Sequence, residues 1–110
     1  MALTSAAIGT TNTTIYTSSG SNAITCMIFC NTNAFNPSSP NANIAYLTLY
    51  AVPNGSSLTS TNLIVNQVPI TAGETLSLDQ EKLVLSNGDI LVALSSAANS
   101  LVTTISTLAV

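Results

Sequence analysis

The chain has 110 residues, of which 46% are hydrophobic and only 5% are charged, and its formal net charge is −3. A chain of this length forms one domain around a single hydrophobic core, and its high hydrophobicity with low net charge excludes intrinsic disorder. One lysine, four acidic residues, and no arginine or histidine exclude most kinds of enzyme and leave nothing to neutralise the phosphates of a nucleic acid.

The predicted elements are β-strands separated by turns. The start of the chain has little strand-forming sequence, so residues 1–12 are predicted to be an N-terminal arm of a single domain spanning 1–110. Eight later segments are rich in Val, Ile, Thr, Leu and Tyr, which favour strands. The segments are 13–17, 23–30, 44–52, 62–70, 75–78, 82–85, 90–94 and 101–108.

Turn-forming sequences separate these segments. Residues 86–89 (Ser-Asn-Gly-Asp) contain an Asn-Gly pair that accepts the positive φ angles of a two-residue turn, so the strands on either side are predicted to pair antiparallel. Residues 52–56 and 71–74 predict two further reversals. The two prolines within 36–41 predict a longer exposed loop, and 95–100 predicts either a loop or one helical turn.

Short strands at this spacing, without a helical period of useful length, predict an all-β protein: a single antiparallel β-sandwich or jelly roll. Residues 44–52 are apolar on both faces, as in a central strand that is covered on both sides. One cover is the opposite sheet. The other is either a neighbouring subunit or a loop or N-terminal segment of the same chain.

Few side chains in this sequence can carry acid–base or nucleophilic chemistry. They are Glu74, Asp79, Glu81, Asp89, Lys82, Cys26, Cys30, Tyr16, Tyr46 and Tyr50. Without histidine, neither a Ser-His-Asp nor a Cys-His arrangement can be built. The sequence therefore predicts a protein that is not an enzyme and uses no cofactor, and it identifies no catalytic, cofactor-binding or metal-binding residue.

Cys26 and Cys30 lie four residues apart. In an extended strand this spacing places both side chains on one face, with Cα atoms about 13 Å apart. A disulfide requires less than roughly 7 Å, and without histidine or a third cysteine one chain cannot complete a zinc site. The cysteines are therefore predicted to be buried free thiols, with a bond to another chain as the alternative.

The acidic residues Glu74, Asp79, Glu81 and Asp89 have two interpretations. They could supply oxygen ligands to calcium, but their spacing does not match an EF-hand loop. The favoured interpretation is that they keep strand edges soluble and pair with Lys82.

The apolar runs of the sequence are short, which bears on the cellular location of the protein. None approaches the ~18 residues of a membrane span, and the first residues have neither the basic region nor the apolar stretch of a secretory signal. We therefore expect a protein that is assembled in a cytoplasm and does not bind membranes. Its large neutral surfaces favour association with other subunits.

Two segments of the C-terminal half carry a recurring pattern. Residues 68–78 contain a strand with proline near its end, an Ala-Gly-Glu turn and a Leu-rich strand, and residues 82–90 contain a strand closed by Asn-Gly-Asp. This pattern resembles one found in small β-sandwich virion proteins of tailed bacteriophages. Residues 15–17 and the Asn54-Gly55 pair fit the same layout, so the resemblance covers most of the chain. It transfers no functional residue, because the family has no catalytic motif.

The resemblance implies a structural protein of a tailed-phage virion, assembled in the host cytoplasm. The leading expectation is a capsid decoration (cement) protein that binds the shell as a closed homo-oligomeric ring and stabilises subunit junctions. The alternative is a ring component of the neck, tail or fibre attachment. The expected partners are other virion proteins, namely the major capsid protein or neck and tail proteins, together with further copies of the chain.

A carbohydrate-binding host-recognition module is the alternative from a different class. Asn and Tyr suit hydrogen bonding and stacking on sugars, although the chain has no tryptophan. An exposed aromatic platform beside asparagine would favour this function, and burial of Tyr16, Tyr46 and Tyr50 would exclude it.

Overall fold

The computed structural model describes residues 2–80 and 82–110, and this part of the chain contains nine β-strands, one short 3-10 helix and no α-helix. The strands are β1 (Ala2–Ile8), β2 (Thr13–Thr17), β3 (Asn22–Asn31), β4 (Ala45–Val52), β5 (Leu63–Ile70), β6 (Thr75–Leu78), β7 (Leu83–Leu85), β8 (Ile90–Ser95) and β9 (Leu101–Ala109). The 3-10 helix covers Ser60–Asn62, between β4 and β5. All eight predicted strands are present, with boundaries that differ by at most one residue.

The strands form two antiparallel sheets that pack together, which confirms the predicted all-β sandwich. Sheet A has the order β1-β9-β3-β6, and β7 lies on the same side of β3 as β6. Sheet B has the order β2-β8-β4-β5. No helix in the described part of the chain has the length and hydropathy needed to cross a membrane.

The strand pairs are nested along the chain. β1 pairs with β9, β2 with β8, β3 with β6 and β7, and β4 with β5. A long antiparallel ribbon folded over on itself produces this nesting, which is the jelly-roll arrangement of a two-sheet sandwich. Of the two architectures predicted from the sequence, the strand order is therefore that of the jelly roll.

The core lies between the sheets and follows the two-residue period of the strands. Phe29, Leu47, Leu49, Leu91 and Ile105 are completely or almost completely buried there. Burying a side chain of this kind contributes about 1.5–3 kcal/mol. The alternation is clearest in β9, where every second residue from its start is buried and the residues between them face outward.

The prediction of an N-terminal arm is corrected by β1. Ala2–Ile8 pairs with β9 in an unbroken register over seven residues. Ala6 and Ile8 contact the core, and Ile8 is buried. Alanine and serine give weak polarity contrast, so the alternation is hard to read from the sequence, and pairing with β9 supplies the stabilisation that local strand propensity lacks.

The predicted hairpin at residues 86–89 is also corrected. β7 belongs to sheet A and β8 to sheet B, so the flanking strands do not pair with each other. Gly88 does have a positive φ of 87°. The turn is anchored to other loops: the Asp89 carboxylate accepts hydrogen bonds from the backbone N–H of Asn54 and of Ser86, each at 2.8 Å, and Gly88 N–H donates to Ser18 O at 2.8 Å.

The other predicted turns differ in what they connect. Residues 71–74 form a turn with a hydrogen bond from Glu74 N to Thr71 O at 2.9 Å, and they lead from sheet B to sheet A. Residues 52–56 reverse the chain as predicted, because β4 and β5 pair antiparallel. The loop around residues 36–41 is exposed, as predicted, and 95–100 is a bend rather than a helix.

β4 is a central strand whose inner face is buried, as predicted, but whose outer face is only partly covered, since Tyr46 on that face is 44% exposed. It lies between β8 and β5 in sheet B, and its inward residues are buried in the core. On its outer side, Thr48 is 6% exposed and Val52 is 4% exposed.

Candidate interaction surface

The charged side chains lie along one rim of the sandwich. Glu74 is in the turn between β5 and β6, Asp79 and Lys82 lie between β6 and β7, and Asp89 is in the turn after β7. Within residues 2–80 and 82–110, no three acidic, cysteine or histidine side chains come together as a metal site would require. The predictions made for Glu81 lie outside the described residues.

Lys82 binds backbone oxygens. Its Nζ donates to Thr25 O at 3.1 Å and also to Asp79 O. β7 pairs with β3 up to Ile24 and β6 pairs with β3 from Met27 onward, so the edge of β3 between them has no strand partner in the described structure. The ammonium group hydrogen-bonds to this open part of the strand edge, where charged side chains commonly prevent further strand pairing.

The strands of sheet A carry no charged residue on the outer face of the sheet. Its residues are aligned across the strands, since directly opposed residues of antiparallel strands point to the same side. One row runs Ser5, Thr104, Ile28, Ser77, and the next runs Ala7, Val102, Cys30, Thr75. The complete face consists of Leu3, Ser5, Ala7, Ala23, Cys26, Ile28, Cys30, Thr75, Ser77, Val84, Val102, Thr104, Ser106 and Leu108.

Apolar side chains are exposed across this face. Leu3 is 74% exposed and Val84 is 67% exposed, and Ile28, Val102 and Leu108 are exposed to a smaller extent. Single exposed apolar residues are ordinary, but an uncharged sheet face with several of them is typical of a protein contact surface. The serine and threonine hydroxyls between them can hydrogen-bond a partner without the cost of burying a charge.

Cys26 and Cys30 lie on this outer face. Both are free and half-buried, and Cys26 is opposite Ser106 while Cys30 is opposite Val102. Their placement on one face confirms the prediction, but they are not buried. A bulge at Thr25 shifts the alternation of β3, so that Met27 enters the core and the cysteines turn outward.

The tyrosines do not form the exposed aromatic platform that would favour sugar binding, and they are not all buried, which would exclude it. Tyr46, on the outer face of sheet B, is 44% exposed, whereas Tyr16 and Tyr50 are half-buried. Tyr16 packs against the core because a bulge in β2 directs it and the neighbouring Ile15 inward. Tyr46 and Tyr50 are four residues apart on one strand, about 13 Å, which is too far for one stacking platform.

A pocket of about 200 Å³ lies where β4 ends beside β7, lined by Ala51, Val52, Pro53, Leu83, Val84, Leu85 and Asp89. Small-molecule sites usually occupy about 300–1,000 Å³ and contain convergent polar groups. The carboxylate in this pocket, Asp89, already accepts two backbone hydrogen bonds. Asp89 is therefore part of a structural turn.

No protein-family model matches the chain, and neither a curated protein sequence nor a solved structure is significantly similar to it. Fold alone does not determine function, so function must be inferred from the chemistry of the surface. The neutrality of the chain is evident from its sequence, but the sequence alone does not assign the exposed residues to a face. The signal that could have identified them is the alternation of residues 101–108, in which Val102 and Leu108 fall on the outer side.

Proposed function

We propose that the chain is a structural protein of a tailed-bacteriophage virion and that it acts as a capsid decoration protein, stabilising the shell through subunit contacts. The observation that carries this proposal is the outer face of sheet A, which is uncharged and has exposed apolar side chains in each of its strands except β6. Such a face suits contact with another protein better than contact with a charged ligand.

The dimensions of the face fit a subunit contact. Four strand positions and about seven residues per strand give a surface of roughly 20 by 25 Å. This footprint of roughly 500 Å² is the larger part of the about 800 Å² of accessible surface that a stable interface covers on each partner. A protein that binds only the assembled shell shifts the assembly equilibrium toward that shell by mass action, and many copies multiply the effect.

The sequence resemblance supports the same class of protein. The two segments that carry it, residues 68–78 and 82–90, contain the connections by which the chain passes between the sheets. The resemblance therefore concerns the strand and turn chemistry of the sandwich. A ring component of the neck, tail or fibre attachment would use the same face, and copy number separates the two locations.

The first experiment counts copies of the chain per purified particle, by quantitative mass spectrometry and by imaging. Hundreds of copies distributed over the shell are expected for a decoration protein. About a dozen or fewer at one vertex would instead indicate a neck, tail or fibre component. Absence from particles would overturn the virion proposal.

A pair of variants tests the face. Ile28→Lys introduces a charge at the centre of the outer face of sheet A, whereas Tyr46→Lys introduces the same charge on the outer face of sheet B. We expect Ile28→Lys to weaken binding to particles lacking the chain by at least about tenfold, because a buried lysine would be unpaired. Tyr46→Lys should bind normally, and the opposite result would locate the contact on sheet B.

The exposure of Tyr46 favours the carbohydrate-binding alternative. Its exposed ring could stack on a sugar, although Pro69, rather than asparagine, is its cross-strand neighbour. Glycan binding that is lost in Tyr46→Ala and retained in Ile28→Lys would support this alternative.

A further inference from the structure

The four edges of the two sheets differ in how they resist pairing with another strand. An exposed edge presents unpaired N–H and C=O groups, and proteins usually blunt it with bulges, prolines, charges or short strands. In this sandwich the edges are formed by β1 and by β6 with β7 in sheet A, and by β2 and β5 in sheet B.

Three edges are blunted. β2 has five residues and is interrupted by a bulge between Thr14 and Tyr16. β5 contains Pro69, two irregularities in register and a positive φ of 54° at Gln67. The remaining edge of sheet A is divided between the short strands β6 and β7, with Asp79 and Lys82 between them.

β1 has none of these features. Ala2–Ile8 is seven residues long, contains no proline, glycine or charged residue, and pairs with β9 without a bulge. Among the described residues, β9 is its only strand partner. Ala2, Leu3, Ser5 and Ala7 are exposed, so the strand is accessible from the side.

The chemistry of this edge specifies an extended strand as its partner. In an antiparallel ladder, alternate residues direct their N–H and C=O groups away from the strand already paired. These groups on β1 point to the open edge, where only another β-strand can satisfy them as a regular series.

We propose that β1 pairs antiparallel with β1 of a second copy about a two-fold axis at Ser5. This register places Leu3 opposite Ala7 of the other copy and Ala2 opposite Ile8, so a larger side chain meets a smaller one in each case. Every opposed pair keeps its face, because the residue numbers differ by an even number. The pairing brings no charges together.

The proposed pairing extends the uncharged surface already described. The two outer faces of sheet A become one continuous face, because the sheets join edge to edge in the same orientation. A two-fold contact of this kind is self-complementary and closes after two copies, which prevents growth into a fibre. The inference concerns the edge rather than the face, and it does not depend on a location in a virion.

Two lysine variants distinguish an edge contact from a face contact. Ser5 and Thr104 are directly opposite on adjacent strands and lie on the same outer face. We expect wild type to be dimeric by sedimentation velocity and Ser5→Lys to be monomeric, since two like charges would meet at the axis. Thr104→Lys, one strand further in, should remain dimeric.

Several outcomes would overturn the proposal. A wild-type protein that is monomeric at all accessible concentrations would do so, as would a dimer that survives Ser5→Lys. Loss of the dimer in both variants would mean a face-to-face contact instead. Far-UV circular dichroism and thermal unfolding of each variant establish that loss of association is not loss of folding.

Cysteine cross-linking tests the register directly. In the proposed dimer, the Cα atoms of the two Ser5 residues lie about 4.5–5.5 Å apart, within reach of a disulfide. The two Thr104 residues are separated by three strand spacings, about 14 Å. Oxidation should therefore give a covalent dimer for Ser5→Cys but not for Thr104→Cys or wild type, and equal cross-linking of all three would contradict the register.

Discussion

Asn31 joins three parts of the chain through one buried side chain. Its Nδ2 donates to Asn43 O at 2.8 Å and to Ile70 O at 2.9 Å. Its Oδ1 accepts from the backbone N–H and from Nδ2 of Asn33, each at 3.0 Å. The end of β3, the long loop before β4 and the end of β5 are thereby held together by an amide that uses both its donors and its acceptor.

Replacement of Asn31 should be strongly destabilising. Asn31→Ala leaves buried backbone oxygens without donors, so we expect the free energy of unfolding to fall by about 3 kcal/mol. Asn31→Asp should also destabilise, because a carboxylate cannot donate to the two carbonyl groups. Urea unfolding measures both effects, and Asn66→Ala, at an exposed position on β5, is the matched control.

Thr103 differs from Asn31 in the hydrogen bonding of its buried side chain. Its side chain faces the core between Ala6 and Phe29, and its hydroxyl is buried without a hydrogen-bond partner in the described structure. Thr103→Val replaces that hydroxyl with a methyl group of similar size, so we expect stability to rise by about 1 kcal/mol and Tm by about 4 °C.

The control for Thr103→Val lies on the same strand. Thr107 is also buried, but its hydroxyl donates to Ala2 O at 3.5 Å. Thr107→Val should therefore not stabilise the protein. Equal stabilisation by both variants in differential scanning calorimetry would show that added apolar area, rather than the unsatisfied hydroxyl, is responsible.

At the scale of elements, strand-forming composition predicted eight of the nine strands. β1 was missed because its alanine, serine and threonine residues fit an arm as well as a strand, and only the partner β9 distinguishes them. Turn chemistry located the reversals but not the sheet to which each strand goes. An Asn-Gly turn usually closes a hairpin, yet here Asp89 ties the turn to Asn54 and the chain crosses between sheets.

The surface was less predictable than the fold. The neutrality of the whole chain is evident from its composition, but the assignment of each residue to a face requires the register. The bulge at Thr25 illustrates the limit, because it moves Met27 into the core and Cys26 out of it. Nothing local to residues 24–27 distinguishes this arrangement from an uninterrupted strand.

Two substitutions in β1 test whether it is an integral strand. Ile8 is 2% exposed and belongs to the core, whereas Leu3 is 74% exposed. We expect Ile8→Ala to lower the free energy of unfolding by about 2–4 kcal/mol and Leu3→Ala to change it by less than about 0.5 kcal/mol. If both substitutions have small effects in urea unfolding, the result would support the sequence-based prediction that residues 1–12 form an N-terminal arm.

At the scale of the whole molecule, charge is segregated into one part of the chain. The charged residues that the structure describes lie in connections between β5 and β8, while β1 and the outer face of sheet A carry none. Under the proposed function, the charged rim keeps one edge soluble and the neutral surface takes part in association.

This segregation predicts how association responds to salt. Raising NaCl from about 0.1 M to about 1 M shortens the Debye length from about 10 Å to about 3 Å and weakens contacts between exposed charges. A dimer held by β1 buries no charged side chain, so its Kd, measured by sedimentation equilibrium, should change by less than about twofold. Ser5→Asp provides the positive control, because salt should partly restore its weakened association. If wild-type Kd rises tenfold instead, the contact involves the charged rim of Glu74, Asp79 and Lys82, and neither β1 nor the outer face of sheet A is the site of association.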